Sequence, residues 1–168
     1  MALTRVKKAM SPVLSTIILV SVTIVVAISS SYWMGALATG QMRSEQLEIT
    51  SAYAEFNQTL FANGGWSLTV ELKNTGSADA TITNIFLNAI HIKDYTTGSI
   101  TLSVNGIQQA DLSSINIGLT KGNQVRLLLR LERYNGGTGI QGCTSGTRID
   151  VNFHTAAGMI CPLKIKLP

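Results

Sequence analysis

A chain of 168 residues suffices for one domain of ordinary size plus an added element. Its formal net charge of +4 does not mark a nucleic-acid binder, because three of the 13 bases, Arg5, Lys7 and Lys8, sit in the first eight residues, and the remaining ten face nine acids. Charged residues are only 13% of the chain, about half the usual share of a soluble domain, so hydroxyls and amides of the frequent Ser, Thr and Asn carry the surface.

The first predicted element is a long helix. No charged residue occurs from Ala9 to Met42, and the apolar run Val13–Met34 exceeds the roughly 20 residues that span a bilayer. A secretory signal has an apolar region of about 7–15 residues followed by a small-x-small cleavage site. This run is too long and no convincing Ala-x-Ala follows it, so a cut belongs before it, at Lys7-Lys8-Ala9. Three bases and no acid upstream hold the N terminus in the cytoplasm, which turns the body outward. Ser11-Pro12 starts a helix well, Ser as cap and Pro at the first helical position. The pattern predicts one helix from Met10 to about Ile49. From Ser11 to Leu47 it would measure about 55 Å, longer than a bilayer is thick. Tyr32 and Trp33 fall where an interfacial aromatic belt belongs, Gly35 and Gly40 lower rigidity, and "RSEQLEI" is amphipathic. Hydroxyls at Ser15, Thr16, Ser21, Thr23 and Ser29-Ser30-Ser31 can bond back to the helix in lipid, yet suit close helix–helix packing better.

After Ile49 the period changes to that of strands. Six segments, 66–74, 80–88, 99–106, 123–131, 147–155 and 159–167, are rich in β-branched residues and often alternate; 52–56 and 90–95 are weaker candidates. Asn74-Thr75-Gly76, Asn105-Gly106, Lys121-Gly122, Asn135-Gly136-Gly137 and Gly158 separate them as turns. Six to eight short strands at this spacing predict an antiparallel, immunoglobulin-like β-sandwich, hence an α+β chain. Trp66, Leu68, Val70 and Leu72 are expected to point inward, as are Ile149, Val151 and Phe153.

A basic leader ending Lys-Lys-Ala, followed at once by Ser-Pro and a charge-free helix, resembles archaeal type IV pilins. The stretch "SPVLSTIILVSVTIVVAISSSYWMG" is most similar to crenarchaeal adhesive pilins, and "SEQLEI", "LKNTGSADATITNIFLN" and "GTRIDVNFHTAAG…KIKLP" resemble them more weakly. The resemblance implies a leader over residues 1–9, a helix over 10–49 that is first a membrane anchor and then filament core, and an extracellular sandwich over 50–168. It implies that a prepilin peptidase cuts between Ala9 and Met10, reading Lys7, Lys8 and Ala9, and that an assembly ATPase and platform protein then lift the subunit out of the membrane. The chain would partner itself in a helical homopolymer on the cell surface. Pro12, Leu14, Ile18, Val22, Val25, Ile28 and Trp33 are the expected core-helix positions. Bacterial pilins carry a glutamate just inside the mature N terminus, and here that region reads Met-Ser-Pro-Val-Leu, an absence also common among archaeal relatives.

Two cysteines, Cys143 and Cys161, would face an oxidising exterior where a disulfide is permitted, adding about 3 kcal/mol in the chain-entropy account. Pairing 147–155 with 159–167 puts Cys161 opposite Phe153. A straight strand would leave Cys143 roughly 30 Å away, so the bond requires a reversal within "GGTGIQGCTSG". Asn57-Gln58-Thr59 is the one Asn-x-Ser/Thr sequon and a candidate for N-glycosylation; O-linked sugars have no localising signal. His91 and His154 read as strand histidines. "GCTSG" puts Thr144 where a nucleophile elbow needs Ser, and Cys143, His154 and Cys161 lack the close ligand pairs of zinc sites. The expectation is a structural protein with no enzymatic activity, cofactor or metal: an adhesive pilus subunit. An archaellin-type filament subunit and a membrane-anchored extracellular binding module are the alternatives.

Overall fold

The computed structural model describes residues 12–41 and 44–168. They fall into two units, a helix and a β-domain. The helix α1 runs Pro12–Gln41, about 45 Å at 1.5 Å per residue. It is shorter than the residue pattern predicts, because Leu47–Asn57 is a strand, β1. Leu47 and Ile49 alternate with Glu48 and Thr50, and the sandwich claims that alternation: Leu47 is buried in the core and Ile49 packs against it. The approach to β1 is tied down as well, since Thr75 N–H donates to the Gln46 carbonyl at 2.8 Å and Ser77 N–H to that of Ser44 at 3.0 Å. The β-domain therefore begins before residue 50.

Nine further strands follow: β2 (Gly65–Asn74), β3 (Ala80–Leu87), β4 (Ile90–His91), β5 (Ile100–Val104), β6 (Ile107–Gln108), β7 (Ile117–Leu119), β8 (Gln124–Glu132), β9 (Arg148–Thr155) and β10 (Ile160–Lys166), with a 3-10 turn at Ile92–Asp94. All pairings between these strands are antiparallel. One sheet has the order β1-β2-β8-β5-β6; the other runs β10-β9-β3-β4, with β7 also on β3. The six main predicted segments all appear as strands. The candidate 52–56 is the exposed half of β1, and 90–95 is β4 plus the 3-10 turn.

Alternation builds the core. Trp66, Leu68, Val70 and Leu72 of β2 and Leu127, Leu129 and Leu131 of β8 face Ile149, Val151 and Phe153 of β9 and Ile82, Ile85 and Leu87 of β3 across one buried layer. Glycine allows Trp66 its place: a Cβ on Gly65 would stand 2.5 Å from the Leu131 carbonyl and 2.6 Å from the Phe61 ring. Asn105 and Gly106 turn between β5 and β6 with φ of +51° and +86°, the conformation of a tight two-residue hairpin. Between β2 and β3, Asn74 is fully buried and fully bonded. Its amide donates to the carbonyls of Ala78 (2.9 Å) and Leu119 (3.0 Å), and its Oδ1 accepts from Gly76 N–H (2.9 Å). One side chain thus joins a strand of the first sheet to β7 of the second.

Candidate functional site

The β-domain closes on its own core; α1 has none to close on. Its large apolar side chains are exposed along the whole element, from 48% at Leu37 to 83% at Tyr32. Leu14, Ile18, Val22, Val25, Ile28 and Trp33 lie within an arc of about 140° at 100° per residue, but the remaining arc is no more polar: Val13, Leu19, Val20, Ile24 and Val26 fill it. Pro12 occupies the first helical position, as its missing N–H predicts. From Pro12 to Ala38 the mean hydropathy peaks at 2.4.

Four of the hydroxyls do not break this apolar surface. Thr16 donates to the Val13 carbonyl, Ser21 to Ile17, Thr23 to Val20 and Ser29 to Val25, each at 2.8 Å. A hydroxyl bonded within its own helix asks nothing of water. It also leaves a short side chain at the surface; Ser15, Ile18, Leu19, Val22 and Thr23 border a shallow depression that another side chain can enter. A helix apolar all round belongs where every side is covered, in lipid or among other helices. Each Val, Leu or Ile so covered contributes about 1.5–3 kcal/mol.

The other residues singled out from the sequence stand apart from the helix. Lys7, Lys8, Ala9 and Met10 lie outside the described residues. Asn57 closes β1 on the exposed surface, and its Oδ1 accepts from Thr59 N–H (2.9 Å) and Thr59 hydroxyl (2.8 Å). The sequon is accessible, with its Asn and Thr already in contact.

Cys143 and Cys161 are free and buried. The register expected for the last hairpin is the one observed, Cys161 opposite Phe153. The reversal needed to bring Cys143 to it does not occur. Residues 142–147 fold at the far end of the hairpin, where Thr147 hydroxyl donates to the Gly142 carbonyl and Leu167 N–H to that of Thr147. That end, Arg148 opposite Lys166, lies five residues along the strand from Cys161, roughly 16 Å. Cys161 instead points its thiol at the Leu47 carbonyl, 3.7 Å away. Burial pushes the Cys143 thiol up to about 12 and raises that of Cys161 as well, so both are poor nucleophiles at neutral pH.

The two histidines flank Phe86 on the outer face of the second sheet, with ring centroids 5.2 Å (His91) and 4.6 Å (His154) from it. His91 Nδ1 accepts from Lys93 N–H at 3.1 Å and Nε2 stands 3.1 Å from Asn84 Oδ1. These partners assign a neutral ring with the proton on Nε2. Partial burial, followed by Lys93, holds its pKa below the ordinary value. Among the described residues no group of three His, Cys, Asp or Glu side chains is placed to hold a metal.

No protein-family model and no curated protein sequence matches the chain. Among solved structures, the chain is similar to the archaeal flagellum of Methanospirillum hungatei strain JF1, at 14% identity over 94% of each chain and a TM-score of 0.42. A lipoprotein from Bacteroides thetaiotaomicron matches at 14% identity over 74% of this chain and 78% of the other, with a TM-score of 0.34. At these scores neither likeness bears on function.

Proposed function

We propose that this chain is the structural subunit of an extracellular archaeal type IV pilus, polymerising through α1 and serving adhesion to surfaces or cells. The observation that carries the reading is a charge-free helix, apolar on every side, attached in sequence to a β-domain that needs no help from it. Before assembly the bilayer covers the helix, and the charge-free span Pro12–Ala38, 27 residues, is long enough to cross it. After removal of residues 1–9 by a prepilin peptidase, the platform and its ATPase transfer the helix from lipid to the helices of other copies. The exchange of one apolar surrounding for another leaves little apolar surface in water at any stage. Association between helices then comes from close packing, and the small, self-bonded hydroxyl residues permit it. The sandwich forms the outer sheath, with polar, weakly charged residues outward, and Asn57 is available there for glycosylation.

Shearing cells, pelleting the released material and reading the subunit's N terminus by mass spectrometry tests the proposal. Filaments built of subunits that start at Met10 are the expected result. Protein that stays in the membrane fraction with its leader intact would overturn it in favour of a membrane-anchored binding module, and filaments that rotate cells would reassign it to the archaellins.

A further inference from the structure

A cleft of about 360 Å³ opens beside the first sheet, between the loop 92–98 and the segment 108–113. Its position follows from the strands. β6 pairs only with Ser103 and Val104 of β5, so the first half of β5 borders the cleft. Its floor is apolar: buried Ile92 with half-buried Tyr95 and Leu112. Tyr95 hydroxyl donates to the Leu87 carbonyl at 2.7 Å, which fixes the ring.

The rim is built of uncharged hydrogen-bonding groups. Thr96 and Thr97 are held there by a tight turn, closed by Ser99 N–H on the Thr96 carbonyl at 3.0 Å. Gly98 takes φ +92° in it, a value a side chain would strain although the space beside it is open. Gln108 stands on β6. The side chains of Thr96, Thr97 and Gln108 are exposed and make no hydrogen bond among the described residues. Lys93 and Asp111 add one charge of each sign. Ser113 donates to Asp111 from its backbone N–H (2.7 Å), and bonds from its hydroxyl and N–H hold that carboxyl below its usual range, as an acceptor.

These features select a ligand class. An apolar ligand would leave the rim amide and hydroxyls unpaired, and a phosphate or sulfate finds one lysine opposed by a carboxylate. A ligand with hydroxyls around an apolar C–H face matches both floor and rim. The volume lies at the lower end of the about 300–1,000 Å³ common for small-molecule sites.

We propose that this cleft binds an uncharged saccharide of one or two rings, with Thr96, Thr97 and Gln108 hydrogen-bonding its hydroxyls and Tyr95 and Leu112 lying under its C–H face. The site belongs to the β-domain and does not depend on whether the chain polymerises.

The test uses the full chain in a zwitterionic detergent without a sugar headgroup. Glucose, galactose, mannose, N-acetylglucosamine, maltose and lactose are titrated by saturation-transfer NMR, with sulfate and citrate titrated by isothermal calorimetry as charged probes. At least one neutral sugar is expected to bind saturably, with a roughly millimolar Kd, and neither anion to do so. Thr97→Val with Gln108→Leu should weaken that binding about tenfold and Thr97→Trp should block it, with thermal midpoints unchanged because both side chains are exposed. Absence of saturable binding by all six sugars would overturn the proposal. So would sugar binding that survives in both variants, or citrate or sulfate binding more tightly than any sugar.

Discussion

Ala89 holds φ at +67°, beside Asn88 at +49°, in the two-residue turn between β3 and β4. Asn88 is suited to it: its Oδ1 accepts from Asp150 N–H at 3.0 Å, and its own N–H bonds the Asp150 carbonyl. Ala89 has no such compensation, and a left-handed conformation costs an ordinary residue roughly 1–2 kcal/mol. Ala89→Gly should therefore stabilise the fold by about 0.5–1 kcal/mol after the larger unfolded-state entropy of glycine is counted, measured by chemical denaturation. His91 sets a pH dependence on the same turn. Because its folded-state pKa is lowered, its contribution is complete above the ordinary value of about 6.5 and fades as pH falls below it. Protonation would put a hydrogen on Nδ1, where Lys93 N–H now donates. Between pH 7.5 and 5.5 the wild type should lose stability that His91→Gln does not lose; equal slopes in the two proteins would refute the assignment. Neither effect could be read from residues 88–91 alone, since "NAIH" carries no glycine to mark the turn.

At the level of elements, hydrophobic period decided most of what was legible. Every strand of five residues or more lies within or overlaps a segment picked out by alternation, and the register of β9 on β10 follows from the short turn between them. Strands β6 and β7, of two and three residues, are too short to display a period. The overrun of the helix past Gln41 has a different cause. "SEQLE" is made of good helix formers, yet Leu47 and Ile49 also open an alternation that continues into "AYAEF", and the sandwich core outweighs propensity. The cysteine pairing failed because glycines permit a reversal without specifying one. Asn74 shows how an element junction can hang on one side chain. Asn74→Ala would take the amide from the carbonyls of Ala78 and Leu119 and leave Gly76 N–H only its bond to the Gln46 carbonyl at 3.2 Å, and should destabilise the domain by about 3 kcal/mol. Asn74→Asp keeps the acceptor for Gly76 N–H but turns a buried carboxylate oxygen on the carbonyls of Ala78 and Leu119, and should destabilise the domain more than Asn74→Ala at neutral pH. Urea denaturation monitored by the fluorescence of buried Trp66 would rank the three.

On the scale of the whole molecule, two surfaces with opposite needs share one chain. The β-domain presents hydroxyls, amides and few charges, while the helix presents an apolar surface too large to stay in water. That division was legible in the sequence, because charge and apolar residues segregate at Met42/Arg43. The saccharide cleft was not, since its walls come from loops and strand ends that carry no motif. If α1 builds the filament as proposed, other copies cover it in the finished polymer. Both native thiols are buried, so an introduced cysteine is the one ready target for a polar maleimide. Val22→Cys, with Ser114→Cys on the exposed β-domain surface as control, should be compared in lipid-free sheared filaments. The cysteine at position 114 should be labelled at once, and the one at position 22 only after the filaments are denatured in SDS. Labelling of both at similar rates in intact filaments would contradict it.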